Sequence, residues 1–175
     1  MADLENYNFD SDDTDQVDTI LVLDVIEHLR MPEAFLRKMR IRYCKEDPML
    51  IITTGNIAYF LIRFALFFGQ FNYGSRGILD LDHTRLFTFN SMRRMLIYSG
   101  YIILEEKGIP APFPLALGDN WLARFLVVVN LVLIRLSKTL FSYQIGFVVR
   151  LKPTLEQLLA DAAASSEHKL NALVQ

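Results

Sequence analysis

Apolar positions in this chain fall into runs of two different periods. Thr19–Leu23 is a short apolar run with β-branched residues, and it predicts a buried strand. Pro32–Arg42 places Phe35, Leu36, Met39 and Tyr43 on one side and Arg37, Lys38 and Arg40 on the other, which predicts an amphipathic helix. Pro32 suits its first turn, where a missing N–H costs nothing. Met49–Thr53, after the turn residues Asp47-Pro48, predicts a second strand. Ser91–Ser99 predicts a helix closed by Gly100, and Tyr101–Leu104 and Ile145–Leu151 predict two further strands. Strands and helices alternating in this way imply an α/β fold.

Two stretches break the alternation. Tyr59–Phe71 is almost wholly apolar, with Arg63 as its one charge, and Trp121–Phe141 holds the uncharged run Phe125–Ile134 between Arg124 and Arg135. Neither holds an uninterrupted apolar run of the roughly 20 residues needed to cross a bilayer. Cations flanking an apolar helix, with Trp121 at one end, suit a helix lying in a membrane interface. Two helices packed on each other as a lid over a site suit the same pattern.

Composition narrows the picture further. The chain has 175 residues, 52% hydrophobic and 22% charged, enough for one domain with a packed core. Eighteen basic and 20 acidic side chains leave a net charge of −2, so no nucleic-acid partner is expected. The single cysteine, Cys44, suits a reducing compartment, and the N-terminus lacks a basic segment followed by an apolar one. Neither a phosphate-binding Gly-rich Lys loop nor paired zinc-type cysteines occur.

The densest chemistry follows the first strand. Asp24 ends it, with Glu27 and His28 three and four residues on, where a helix start would let all three share a face. Ligand chemistry in open α/β sheets collects at the carboxyl ends of strands. The segment Leu23-Asp24-Val25-Ile26-Glu27-His28-Leu29 closely resembles the end of the fourth strand in class I methyltransferases dependent on S-adenosylmethionine (SAM). The element order from Asp3 to Lys152 is similar to the second half of such a sheet. More narrowly, the chain resembles methyltransferase domains fused to, or encoded beside, glycosyltransferases of bacterial cell-surface glycan synthesis. That likeness rests on Thr53-Thr54-Gly55-Asn56, Gly69-Gln70-Phe71-Asn72-Tyr73-Gly74, Gly77-Ile78-Leu79-Asp80, Asp82 through Thr88, and Pro110 through Pro114.

The resemblance implies a Rossmann-like sheet over residues 1–152, with apolar helical insertions at about 57–80 and 108–142 and a C-terminal helix or tail over 153–175. It implies SAM as cofactor, with Asp3 and Leu4 touching the adenine and Asp24 and Val25 bordering the homocysteine end. The family also cradles SAM with a glycine-rich turn after its first strand, because glycine lets backbone approach closely. No such turn occurs here, so the chain reads as a C-terminal half lacking its N-terminal strands, the product of a truncated reading frame, and inactive by itself. Such a half would expose apolar sheet edges.

The implied reaction is O-methylation of a sugar or lipid-linked saccharide. His28 and His83 are the candidate general bases. Asn72, Tyr73, Arg76 and Arg85, in the polar–aromatic segment Gln70–Arg85, are the candidates to hold acceptor hydroxyls or phosphate. Small-RNA 2′-O-methyltransferases and ubiquinone-pathway O-methyltransferases carry a similar E-x-x-E-H motif, and in the former it helps to hold a divalent metal. By that likeness Asp24, Glu27, His28 and His83 form a candidate site for Mg²⁺, Mn²⁺ or Zn²⁺. A glycosyltransferase partner and a cytoplasmic location, peripheral on the inner face of the membrane, complete the expectation. The competing reading is a non-catalytic or membrane-surface interaction half-domain of methyltransferase ancestry.

Overall fold

A computed structural model describes residues 17–44 and 46–153, together with Leu159. Asp3 and Leu4, the rest of the acidic opening segment and nearly all of the tail lie outside the described residues. Four strands, β1 (Thr19–Leu23), β2 (Met49–Gly55), β3 (Tyr101–Ile109) and β4 (Gln144–Leu151), form one sheet in the order β1-β2-β4-β3. β1 and β2 are parallel, with Leu21 opposite Ile51. β4 runs antiparallel to both of its neighbours, so its first residue, Gln144, pairs with Gly55 at the end of β2. The mixed α/β architecture is therefore as expected.

α1 (Pro32–Arg42) and α3 (Phe89–Tyr98) cover one face of the sheet. Leu36 and Met39 of α1 and Met92 and Leu96 of α3 meet Ile52, Phe147 and Val149 in a continuous core. α1 has the predicted bounds. α3 starts two residues before the predicted Ser91, because Thr88 caps it: the Thr88 hydroxyl accepts from Ser91 N–H, and Ser91 returns the bond to Thr88 N–H. Gly100, at φ 85°, ends it as predicted.

Two strand expectations change. The run of β1 predicts a buried strand, but only Val22 is buried, while Leu21 and Leu23 are 60% and 50% exposed. Among the described residues β1 is an edge strand, and alternation turns those two leucines away from the helices. β3 extends five residues past Leu104, through Glu105, Glu106 and Lys107. Glu106 tolerates that position because Arg93 of α3 binds both its carboxylate oxygens (2.6 and 2.7 Å) and Lys138 binds one of them (2.7 Å).

The apolar insertions are helical. α2 (Phe60–Phe67) follows β2, while α4 (Phe113–Leu117), α5 (Trp121–Leu136) and α6 (Lys138–Phe141) lie between β3 and β4. Of the two readings of these stretches, a pair of helices packed on each other is not what forms: α5 is seated on α4 and α6, and α2 meets the second insertion through Phe60 against Phe141. No helix among the described residues is long and apolar enough to cross a membrane.

Candidate active site

β1 delivers Asp24 to the end of the sheet in a left-handed conformation, φ 50°, which Asp tolerates better than most residues. The Asp24 N–H donates to the Thr53 carbonyl and hydroxyl oxygens, each at 3.2 Å. The Asp24 carboxylate accepts from the Thr53 hydroxyl (3.2 Å) and from the Gln144 amide at both oxygens (3.0 and 2.8 Å). Three strands thus fix one carboxylate.

The next residues form a single 3-10 turn, Ile26–His28, rather than a helix that would align Asp24, Glu27 and His28 on one face. Ile26 and Glu27 are buried, and His28 is exposed. The segment carrying His83 is fastened directly onto this turn. Glu27 carbonyl oxygen accepts from Thr84 N–H (2.9 Å) and Arg85 N–H (3.1 Å), and the Thr84 hydroxyl donates to Leu29 carbonyl oxygen (2.7 Å). The two imidazoles consequently meet edge to face, with centroids 4.8 Å apart.

Each ring is oriented by the backbone: His83 Nδ1 lies 3.0 Å from Ile78 carbonyl oxygen, and His28 Nδ1 lies 3.2 Å from Asp82 carbonyl oxygen. A carbonyl only accepts, so each neutral ring carries its proton on Nδ1 and keeps the Nε2 lone pair. Asp24, Glu27, His28 and His83 line one open pocket of about 230 Å³, with Asp80, Ile78, Tyr143 and Gln144. Gly77 also lines it, at φ 96°, and a Cβ there would lie 3.1 Å from the Tyr143 hydroxyl. Only glycine suits that position.

Glu27 is the unusual group. It is 3% exposed, and its Oε2 has no hydrogen-bond partner among the described residues. Burial pushes its carboxyl above the ordinary value of 4.5, and the Asp24 charge adds to this. His83 pulls the other way, as does the Thr54 hydroxyl, which lies near but outside hydrogen-bond geometry. The folded state therefore holds the Glu27 proton more tightly than the unfolded chain. Stability from this group is full below pH 4.5 and is lost as pH rises through the raised value. Glu27→Gln is expected to stabilise the fold at pH 7 by on the order of 1 kcal/mol, the gain vanishing below pH 4.5. Urea unfolding of both proteins across pH checks this; a variant less stable than its parent at pH 7 overturns it.

The expected four-ligand metal site does not assemble. Among the described residues, no group of three or more His, Cys, Asp and Glu side chains could hold a metal ion. Both Asp24 oxygens are engaged by Gln144, and burial drives Glu27 toward its neutral form. Asp24, Glu27, His28 and His83 thus share a pocket without forming a coordination sphere for Mg²⁺, Mn²⁺ or Zn²⁺.

The four candidate acceptor residues do not line this pocket either. The Asn72 amide donates to Gln70 (3.1 Å), Tyr73 stands edge-on to Phe71, and Arg76 is exposed. Arg85 is ion-paired with Glu33 and lines a separate groove with Arg94 and Tyr98. The residues that sequence reasoning missed are Tyr143 and Gln144. Gln144 lies one position before the predicted fourth strand, and its polar amide at a strand start was the available signal.

No family model matches the sequence, and no curated protein matches it significantly. Several solved structures align with part of the chain. The small RNA methyltransferase HEN1 is 18% identical with a TM-score of 0.46, over 79% of this chain and 14% of its own. A SAM-dependent methyltransferase from Archaeoglobus fulgidus is 16% identical with a TM-score of 0.45, over 79% of this chain and 61% of its own. A methyltransferase-like protein from Bacillus halodurans is 16% identical with a TM-score of 0.48, over 87% of this chain and 76% of its own. The chain thus spans less than two thirds of the first two, and at these identities no residue role passes from any of them.

Proposed function

We propose that this chain forms the acceptor side of a SAM-dependent methyltransferase that methylates a hydroxyl of a sugar or lipid-linked saccharide. The observation supporting this most directly is the pocket at the carboxyl ends of β1 and β2. There Asp24, just past the end of β1, buried Glu27 and two oriented imidazoles converge. By the resemblance Asp24 and Val25 would border the homocysteine end, while no glycine-rich turn occurs among the described residues.

Bound SAM would supply an electrophilic methyl group on a sulfonium. The chain's own task is then to position the acceptor hydroxyl and remove its proton. His83 is the better placed base, being half-buried, anchored through Nδ1 and beside Glu27. His28 stacks on it from the exposed side. A glycosyltransferase partner acting on the same saccharide belongs to this reading.

Calorimetric titration of S-adenosylhomocysteine into the 175-residue chain tests the proposal. Micromolar binding that weakens about tenfold in Asp24→Ala supports it. No binding, or binding indifferent to Asp24, overturns cofactor recognition by this chain.

A further inference from the structure

The helices of the two insertions present their apolar faces outward. None of the eight residues of α2 is buried, and Phe64 and Phe67 are 63% and 83% exposed. α5 buries Ala123 and Asn130, while Trp121, Phe125, Val128 and Val132 face away from the protein. A helix of a soluble domain shows the opposite arrangement, with its apolar stripe inward. Exposed apolar surface of this extent marks a contact site.

This orientation is fixed, not a loose segment caught outward. Asn130 accepts from Ala111 N–H (2.9 Å) and donates to the Phe141 carbonyl oxygen (2.9 Å), which fastens the middle of α5 to both flanking segments. On the strand beneath, a Cβ at Gly108 would fall 2.8 Å from Ile134 of α5, so the two approach closely. Tyr59 at the start of α2 packs with Ala111 and Ile78, and with Tyr143 of the active-site pocket. Both insertions therefore converge at the end of the sheet that carries the site.

Charge decides what the face meets. Residues 57–80 and 108–142 hold five basic side chains, Arg63, Arg76, Arg124, Arg135 and Lys138, against two acidic, Asp80 and Asp119. The whole chain holds 18 basic and 20 acidic. Arg124 is paired with Asp119 and Lys138 with Glu106, which leaves Arg63, Arg76 and Arg135, all three exposed, as the cations beside the apolar residues. We infer that α2 and α5 seat this protein on an anionic lipid surface, their aromatic and aliphatic side chains entering the headgroup boundary and their arginines meeting lipid phosphates. The pocket then opens beside the bilayer, within reach of a lipid-linked acceptor. The seat does not rest on the methyl-transfer reading, since vesicle binding needs neither cofactor nor acceptor.

Trp121 is the only tryptophan and stands at the exposed end of α5, so its fluorescence reports the contact directly. The full chain is mixed with vesicles of phosphatidylglycerol and phosphatidylcholine, or of phosphatidylcholine alone. The expected result is flotation with the anionic vesicles, a blue shift of Trp121 emission and quenching by brominated acyl chains. Phe64→Ser with Phe67→Ser, both at exposed positions, should weaken flotation by about tenfold or more, with the thermal unfolding midpoint unchanged. Absence of any vesicle-dependent shift overturns the inference. So does a blue-shifted emission in lipid-free buffer that tracks a concentration-dependent dimer, since a second copy would then cover the face.

Discussion

His83→Ala is expected to lower methyl transfer by about 10²–10⁴-fold while leaving the affinity for S-adenosylhomocysteine unchanged. The side chain is half-buried, and its segment is held to the 3-10 turn by backbone bonds from Thr84 and Arg85 that the substitution does not touch. The fold should therefore survive, and what disappears is an Nε2 lone pair oriented by the Nδ1 contact with Ile78. A sulfonium methyl needs little activation, but a hydroxyl acceptor must lose its proton as the new bond forms, so the penalty falls on the chemical step. His28→Ala removes an exposed ring held by a longer contact and should cost less. Radiolabelled methyl transfer, read beside calorimetric binding, separates the two terms. Full activity in His83→Ala assigns the proton to another group and overturns this role.

Much of the fold was legible because local and tertiary preferences agree. The period of Phe35, Leu36 and Met39 states which side of α1 faces the sheet, and Pro32 marks its first turn, so its bounds are as read. Agreement fails where a residue's neighbour is remote in sequence. Nothing near Glu105, Glu106 and Lys107 announces a strand, because the partners that neutralise Glu106 lie 13 and 32 residues further along or back, on α3 and α6. The apolar run of β1 states that it forms a strand but not that one face stays open, since burial depends on what lies beside it.

The site divides along the same line. Asp24, Glu27 and His28 are close in sequence, and with His83 they do meet in one pocket. Their detailed placement was not legible: a 3-10 turn replaces the first turn of a helix, burying Glu27 and exposing His28, and this removes the metal geometry that the i, i+3, i+4 spacing suggested. Gln144, 120 residues from Asp24, engages the carboxylate that the spacing had offered to an ion. Arg85, polar and near His83, turns instead to Glu33.

Asn56→Ala is expected to destabilise the fold by about 3 kcal/mol or more. Asn56 follows β2 directly and is fully buried. Its amide donates to the carbonyls of Ser142 (2.8 Å) and Thr139 (3.1 Å), and its side-chain oxygen accepts from Ala58 N–H (3.0 Å). One side chain thereby ties the entry of α2 to the segment leading into β4. Truncation strands three backbone groups, one in a buried bond and two in part-buried ones, and each unmet buried bond costs about 1–3 kcal/mol before any cavity is counted. Asn56→Asp sharpens the test. It preserves the acceptor for Ala58 but sets carboxylate oxygens against the two carbonyls, so it should be the worse variant at neutral pH and recover as acid protonates it. Both substitutions should also weaken S-adenosylhomocysteine binding, because the segment that Asn56 holds continues into Tyr143 and Gln144 on the pocket wall. Urea unfolding of the two variants at neutral and acidic pH decides the matter: a loss below about 1 kcal/mol in Asn56→Ala, or an Asp variant indifferent to pH, denies the residue this tethering role.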